Sequence, residues 1–212
     1  MTRVFSQVFV MLVAFAAVFA VSASATKAGL IPDDAVTLWA SAITAGDRQM
    51  PIGRVIAAYP TIPFLATTLL QVVTPAGTPT PVLLTAAVLA LLAGALLASF
   101  FRMGIPLFAA SLMVLLIALH PAVLRAAIAG PAEMIFTALL FLLGSALFKL
   151  RARSAAPEVM AVALSLLGLA FSHPMGAAIA CAAVPLFVFS VQPEFLSSRP
   201  LNLVLTLLFP TV

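Results

Sequence analysis

The chain has 212 residues, of which 64% are hydrophobic and 8% are charged, and its net charge is +4. A soluble domain carries about 25% charged residues, so this composition excludes an ordinary soluble protein and indicates a polytopic membrane protein. No cluster of Lys and Arg with interleaved aromatic residues occurs, which argues against a nucleic-acid partner. We predict an all-α transmembrane helical bundle of about six to seven spans, organised as a single domain over residues 1–212.

The first predicted element is a span over residues 4–23, preceded by Arg3. The tripeptide Ala23-Ser24-Ala25 has the small-x-small form of a signal-peptidase site, so cleavage is an alternative to the uncleaved span that we favour. Both alternatives place the next segment, a loop over residues 26–60, on the non-cytoplasmic side of the membrane.

This outer loop is the one long segment too polar to lie in a lipid core. After Asp33, the residues Val36, Trp39, Ala40 and Ile43 recur at helical spacing. This pattern predicts a short amphipathic helix that lies on the membrane with its apolar face toward the lipid.

The remaining helices are predicted over residues 61–212. Residues 61–73 are apolar but short, and Pro63 interrupts them, so we predict a partial or re-entrant segment. Full spans are predicted at 82–101, 105–119, 132–150, 159–171 and 175–191, with a short helix at 122–129. Residues 201–212 begin a further span and stop after about half a crossing. We therefore expect the chain to be truncated at the C-terminus.

The charges agree with this order of spans. The predicted inner side carries an excess of basic residues and the predicted outer side is balanced, as the positive-inside rule requires. The inner basic residues are Arg3, Arg102, Lys149, Arg151, Arg153 and Arg199. We predict an integral protein of a bacterial-type inner (plasma) membrane with a cytoplasmic N-terminus. The single cysteine, Cys181, excludes an internal disulfide, and its apolar surroundings predict a buried packing residue.

Two adjacent carboxylates, Asp33 and Asp34, stand at the start of the predicted surface helix. One interpretation is structural: an N-cap followed by a first-turn acid that the helix dipole favours. The other is functional: a carboxylate at the mouth of a membrane cavity takes a proton from an attacking hydroxyl, or holds a divalent cation against a phosphate.

A second group of candidates follows the later outgoing spans. His120 and His173 each precede a proline and are predicted on the same side as the aspartates. They are either polar helix ends or imidazoles that converge on one outer pocket. Arg125 would pair with an anionic phosphate, and Glu133 is either a first-turn acid or part of that pocket. Tyr59 is either an interface anchor or a substrate contact.

Four stretches in this order carry a family resemblance: PDDAVTLWASAITAG, AAYPTIPFLATTLL, LHPAVLRAAIAGPAEMIFTALLFLLGSAL and GLAFSHPMGAAIA. Together they resemble the N-terminal part of a GT-C type polytopic membrane glycosyltransferase, of the polyprenyl-phosphate-sugar-dependent, protein-mannosyltransferase-like kind. The resemblance implies transfer of a sugar from a polyprenyl-phosphate donor to an acceptor that the sequence does not identify. The chain departs from the family in having Asp33-Asp34 where Asp-Glu is common, and in being much shorter.

The resemblance also implies roles for particular residues. Asp34, and after it Asp33, would act as base or as ligand of a divalent cation. Arg125, His120 and then His173 would contact the lipid phosphate. The alternative function is a non-catalytic integral membrane subunit or a transporter fragment, and a third interpretation is a structural bundle with no site. Transporters place ionisable groups near the membrane midplane, often beside broken helices, whereas the sequence predicts charges at the span ends.

Overall fold

The computed structural model describes residues 2–46, 51, 53–54, 58, 60–75, 77–152 and 155–190. Helix accounts for 87% of these residues and none of them lies in a strand, which confirms the all-α class. The described helices are α1 (Thr2–Lys27), α2 (Asp33–Gly46), α3 (Thr61–Val73), α4 (Thr80–Arg102), α5 (Leu107–Ala118), α6 (Pro121–Ala129), α7 (Pro131–Ala152), α8 (Ala156–Ser172) and α9 (Pro174–Ser190).

Three of the described helices are long and apolar enough to cross a membrane, over Val4–Lys27, Thr80–Arg102 and Pro131–Ala152. The bent pair α5–α6 passes the same test as one unit, which raises the number of candidate spans to 4. These helices indicate a membrane protein. Because α8 and α9 are shorter, the described residues do not by themselves reach the six to seven spans that the sequence predicts.

Contacts divide the chain into two compact units, Met1–Ala58 with Pro63–Ile135 and Tyr59–Ile62 with Phe136–Val212. In the first unit, α1 packs mainly along α4. Gln7 Nε2 donates a hydrogen bond of 3.2 Å to the carbonyl oxygen of Gly94, and a Cβ added at Gly94 would meet Met11. Near the other end of α1, Ser22 lines a cavity together with Thr85 of α4. The two helices are therefore antiparallel.

The pair α5–α6 runs parallel to α1. Ser6 Oγ lies 3.3 Å from Ser111 Oγ, and Ser22 Oγ lies 3.3 Å from the carbonyl oxygen of Ala127, with 105 positions between the residues of each pair. The axes of α5 and α6 differ by 50°. A re-entrant hairpin would return to its starting level, whereas α6 continues toward the end of α1. The pair is therefore one broken span.

This geometry corrects the predicted span at 105–119. Helix α5 has 12 residues, and at 1.5 Å per residue it is about 18 Å long, too short for a hydrocarbon core of about 30 Å. Only α5 and α6 together match α1. The short helix itself is confirmed, with Pro121 at its start.

Helix α3 adds no crossing between α1 and α4. It has 13 residues, or about 20 Å of helix. Gln71, near its C-terminal end, accepts a hydrogen bond of 2.9 Å from Thr80 Oγ1 at the start of α4. The same residue approaches Gly46 at the end of α2. Since the start of α4 lies beside the end of α1, the partial segment that the sequence predicts at 61–73 agrees with this arrangement.

In the second unit, α8 packs against α9, and a cluster of buried residues joins them to the C-terminal half of α7. Its members include Leu143, Leu150, Leu166, Leu169 and Ala180. Cys181 is exposed, so the prediction of a buried cysteine is wrong. The physical reason is its position: Ala180 and Ala183 face the cluster, and Cys181 lies on another face of α9.

The helices also extend or shift several predicted bounds. Helix α1 continues without a break through Ala23-Ser24-Ala25 to Lys27, beyond the predicted end at residue 23. Helix α4 ends at Arg102, and Gly104, at φ +78°, closes the turn that follows it. The NH groups of Gly104 and Ile105 bond to the carbonyl oxygens of Phe101 and Phe100, which is a Schellman motif. The predicted segment 201–212 lies outside the described residues.

Candidate functional site

Asp33 and Asp34 form the first turn of α2, and both are exposed. The carbonyl oxygen of Pro32 accepts bonds from the backbone NH groups of Ala35 and Val36, so Asp33 lies inside the helix and is not its N-cap. Within the described part of the chain, neither carboxylate has a hydrogen bond or an ion pair. Both are thus free to accept a proton or to bind a cation, in a position that the helix dipole favours for negative charge.

The face that α2 packs against the first unit differs from the apolar stripe that the sequence predicts to face the lipid. Ala35, Leu38 and Ala42 are buried, whereas Val36 is 46% exposed and Ile43 is 37% exposed. Two apolar stripes lie side by side on this helix, and the smaller side chains of one allow close approach to the bundle. The stripe that contains Val36 and Ile43 is left on the outside, where it is available for lipid.

The start of α2 lies against the junction between α6 and α7. A Cβ added at Gly130, which ends α6 at φ +115°, would lie 3.0 Å from the Cβ of Ala35. Ala35 follows Asp34 directly, and Glu133 lies in the first turn of α7, where it is half-buried. The structure therefore brings the backbone of the aspartate pair close to the segment that carries Glu133.

A small cavity lies beneath α2, between the ends of α1, α4 and α6. Its volume is about 30 Å³, which is the share of one water molecule in liquid water and far below the size of a sugar site. Trp39 lines it with Ser22, Thr26 and Thr85, and Trp39 Nε1 is buried without a hydrogen-bond partner among the residues that the structure describes. An unpaired buried donor is costly, so one bridging water is the occupant that this cavity fits.

His120 and Arg125 belong to the broken span. His120 is the N-cap of α6, and its Nδ1 accepts a hydrogen bond of 3.2 Å from the backbone NH of Ala122. Contacting residues of α1 and of the α5–α6 pair differ by 105 positions in the sequence. His120 therefore lies level with Phe15, near the middle of α1. His120 and Arg125 are both exposed. The expectation that this imidazole stands at the outer end of a complete span is therefore wrong, because the span continues through α6.

His173 lies in the second unit, where it follows α8 and precedes α9. Its Nδ1 accepts a hydrogen bond of 3.1 Å from the backbone NH of Met175, and its ring centroid lies 4.7 Å from that of Phe136. Like His120, it satisfies a backbone donor at a helix start, which is the structural role that the sequence offered as one alternative.

The other sequence-predicted features are a metal site and a tyrosine. No group of three or more His, Cys, Asp or Glu side chains close enough to hold a metal occurs among residues 2–46, 51, 53–54, 58, 60–75, 77–152 and 155–190. A divalent cation bound through Asp34 stays a prediction. Tyr59 lies outside the described residues. Sequence reasoning missed the buried indole NH of Trp39, because nothing in the pattern distinguishes it from an interface anchor.

Comparisons of the chain with protein-family models, with curated proteins and with solved structures found no match.

Proposed function

We propose that this chain is part of an inner-membrane glycosyltransferase that moves a sugar from a polyprenyl-phosphate donor to an acceptor on the non-cytoplasmic side. The observation that carries the proposal is the position of the aspartate pair. Two exposed carboxylates, without a partner in the described part of the chain, begin a helix whose third residue, Ala35, approaches Gly130. Arg125 and Glu133 lie within five positions of that glycine. The two helices that carry Arg125 and Glu133 thus meet beside the start of α2.

The chemistry assigned to these groups is a displacement at the sugar. Asp34 removes the proton from the acceptor, the acceptor atom bonds to the anomeric carbon, and the bond from that carbon to the phosphate oxygen breaks. The polyprenyl phosphate leaves with the electron pair, and Arg125 offsets its charge. The cavity beneath α2 is too small for a sugar, so the donor would bind over the exposed start of α2 or displace that helix.

The proposal also includes the number of membrane spans that the sequence predicts. Helices α8 and α9 have 17 residues each, or about 25 Å, which reaches across a thin bilayer with flanking polar groups at its interfaces. Counted with α1, α4, α5–α6 and α7, they give six spans, and the predicted segment after residue 200 gives a seventh. The N-terminus would then be cytoplasmic, as the basic residues indicate.

The test compares two carboxylates that share one helix turn. Asp34→Asn and Asp33→Asn each remove one negative charge from the start of α2. Asp34→Asn should abolish transfer of labelled sugar from the polyprenyl-phosphate donor in membranes that contain the protein, while Asp33→Asn retains most of it. Insertion should be unchanged in both, and the two melting temperatures should agree, because each variant loses one charge that the helix dipole favours. Equal transfer by the wild type and Asp34→Asn would remove Asp34 from the mechanism.

A second candidate function is a transporter fragment or a non-catalytic subunit, and the broken span favours it. Interrupted helices with an ionisable group at the break are a feature of transporter sites, and His120 stands at such a break level with the middle of α1. The assays separate the two candidates. Sugar transfer by the wild type that is lost in Asp34→Asn supports the transferase. Absent transfer, with solute flux that depends on His120, supports the transporter.

A further inference from the structure

A larger cavity lies in the second unit, between one face of α7 and one face of α8. Its volume is about 380 Å³, within the range of roughly 300–1,000 Å³ that small-ligand sites occupy. Leu142, Ser145 and Lys149 line it from α7, and Glu158, Ala161 and Ser165 line it from α8. These positions recur at helical spacing, so each helix contributes a single face.

The polar lining carries two opposite charges that do not pair with each other. Lys149 and Glu158 both face the cavity, yet no ion pair joins them. Glu158 Oε2 is buried and, among the residues that the structure describes, has no hydrogen-bond partner. An unpaired buried carboxylate oxygen is costly, since it has lost water without gaining a donor. The cavity therefore offers an unpaired carboxylate oxygen as hydrogen-bond acceptor and, elsewhere on its lining, the ammonium group of Lys149 as a cationic donor.

The hydroxyl groups of Ser145 and Ser165 add to the polar lining of the cavity. Ser165 Oγ donates to the carbonyl oxygen of Ala161 at 2.7 Å and keeps its lone pairs for a ligand. Ser145 is half-buried, and among the described residues its hydroxyl has no hydrogen-bond partner. The charges occupy the last turn of α7 and the first turn of α8, whereas Leu142 lies about two turns deeper along α7. The cavity thus has its charges at the helix ends, and its lining further along the helices includes both Leu142 and Ser165.

We propose that this cavity binds the head group of a zwitterionic phospholipid that carries a phosphate and a primary ammonium group. Lys149 contacts the phosphate, and the ammonium group of the lipid donates to Glu158 Oε2. A lipid chain continues along Leu142. The carboxylate selects the amine: a choline group has no N–H to donate, and a glycerol head group carries no positive charge. This site is separate from the aspartate pair and does not depend on sugar transfer.

The experiment measures lipid retention by native mass spectrometry of the purified chain in detergent. The protein is incubated with phosphatidylethanolamine, phosphatidylcholine or phosphatidylglycerol of identical acyl chains. The wild type should retain phosphatidylethanolamine about tenfold more strongly than the other two, the effect of one charge-assisted hydrogen bond. Glu158→Gln should abolish this preference, and Lys149→Ala should weaken retention of phosphatidylethanolamine and phosphatidylglycerol.

Arg151→Ala is the matched control, because it removes a positive charge from the same turn of α7 but does not line the cavity. Retention by this variant should equal that of the wild type. A loss as large as that of Lys149→Ala, or equal retention of phosphatidylglycerol and phosphatidylethanolamine by the wild type, would overturn the proposal. Soluble O-phosphoethanolamine forms the last arm. Binding of this compound without retention of the lipid would assign the cavity to a free zwitterion and refute a lipid site.

Discussion

Ser22 Oγ donates a hydrogen bond of 3.3 Å to the carbonyl oxygen of Ala127, and this contact holds the end of α1 level with the end of α6. Ser22 is only 4% exposed, so the bond lies inside the first unit. Together with the Ser6–Ser111 contact, it gives α5–α6 the same direction as α1. The α6–α7 junction therefore lies at the same end of the first unit as the end of α1, from which the chain continues into α2.

The first prediction concerns membrane sidedness. Leu30, after α1, and Thr78, before α4, should lie on one side of the membrane, and Met103, after α4, on the other. Each is replaced by Cys in a Cys181→Ala background, since Cys181 is itself exposed. A membrane-impermeant maleimide applied to oriented vesicles should label the Leu30→Cys and Thr78→Cys variants from the same side. If the Met103→Cys variant labels from the side of the Leu30→Cys variant and the Thr78→Cys variant from the other side, α3 crosses the membrane, and the aspartates and Arg125 lie on opposite faces.

The second prediction concerns the approach of α2 to the α6–α7 junction. Gly130→Ala should destabilise the protein, because φ +115° is strained for any side chain and the new Cβ meets Ala35. Such strain costs about 1–3 kcal/mol. Removing the opposing Cβ with Ala35→Gly should recover part of the loss, so the double variant should lose less stability than the sum of the single variants. The stability of the two single variants and of the double variant is compared through their melting temperatures in detergent.

Gly104→Ala is the control for this cycle. Gly104 also has a positive φ, of +78°, but nothing lies within 4 Å of an added Cβ. Its combination with Ala35→Gly should therefore be additive within about 0.5 kcal/mol. If the Gly130→Ala cycle were equally additive, the contact between α2 and the α6–α7 junction would contribute no stability. The proposed site, which depends on this contact, would then lose its structural basis.

The sequence predicts the helices far better than it predicts their faces. The bounds of α4, α6 and α8 follow from apolar runs that end at a charge, a glycine or a proline, and these local signals survive in the structure. The existence of α2 follows from the same kind of signal. Its buried face does not, because Ala35, Leu38 and Ala42 are no more apolar than Val36 and Ile43. In lipid, small side chains pack where larger ones do not, and hydrophobicity alone cannot report this difference.

The sequence also does not show which positions of two helices lie side by side. Residues 105–119 are apolar enough for a crossing, and His120-Pro121 looks like its end. Only the 105-position offset shared by Ser6–Ser111 and Ser22–Ala127 shows that the crossing continues. The sequence likewise does not predict that Glu158 and Lys149 line one cavity, because charges at the ends of spans are ordinarily interpreted as topology signals.

The third prediction tests the faces of α2. Leu38→Ala should lower stability by about 2 kcal/mol or more, because Leu38 is 9% exposed and leaves a cavity against the first unit. Val36→Ala, on the stripe that faces outward, should change it by less than about 0.5 kcal/mol. For a chain of this length, the first loss corresponds to a fall in melting temperature of about 4–8 °C. Equal effects would contradict the described orientation of the helix.

The fourth prediction separates the cap from the chemistry at His120. Its Nδ1 accepts the backbone NH of Ala122, and an asparagine side chain offers an oxygen for the same bond. His120→Ala should therefore cost about 1 kcal/mol, and His120→Asn should keep the melting temperature close to that of the wild type. Arg125→Ala, at an exposed position one turn further along α6, serves as the control and should leave stability unchanged.

The two His120 variants then become informative about function, because His120→Asn removes the imidazole while keeping the helix start. Loss of sugar transfer in His120→Asn at an unchanged melting temperature would assign the imidazole to the phosphate. Full transfer would leave it with a structural role, as the N-cap of α6 at the break in the α5–α6 span. If both variants were equally unstable, the hydrogen bond to Ala122 would not be what holds the break in the α5–α6 span.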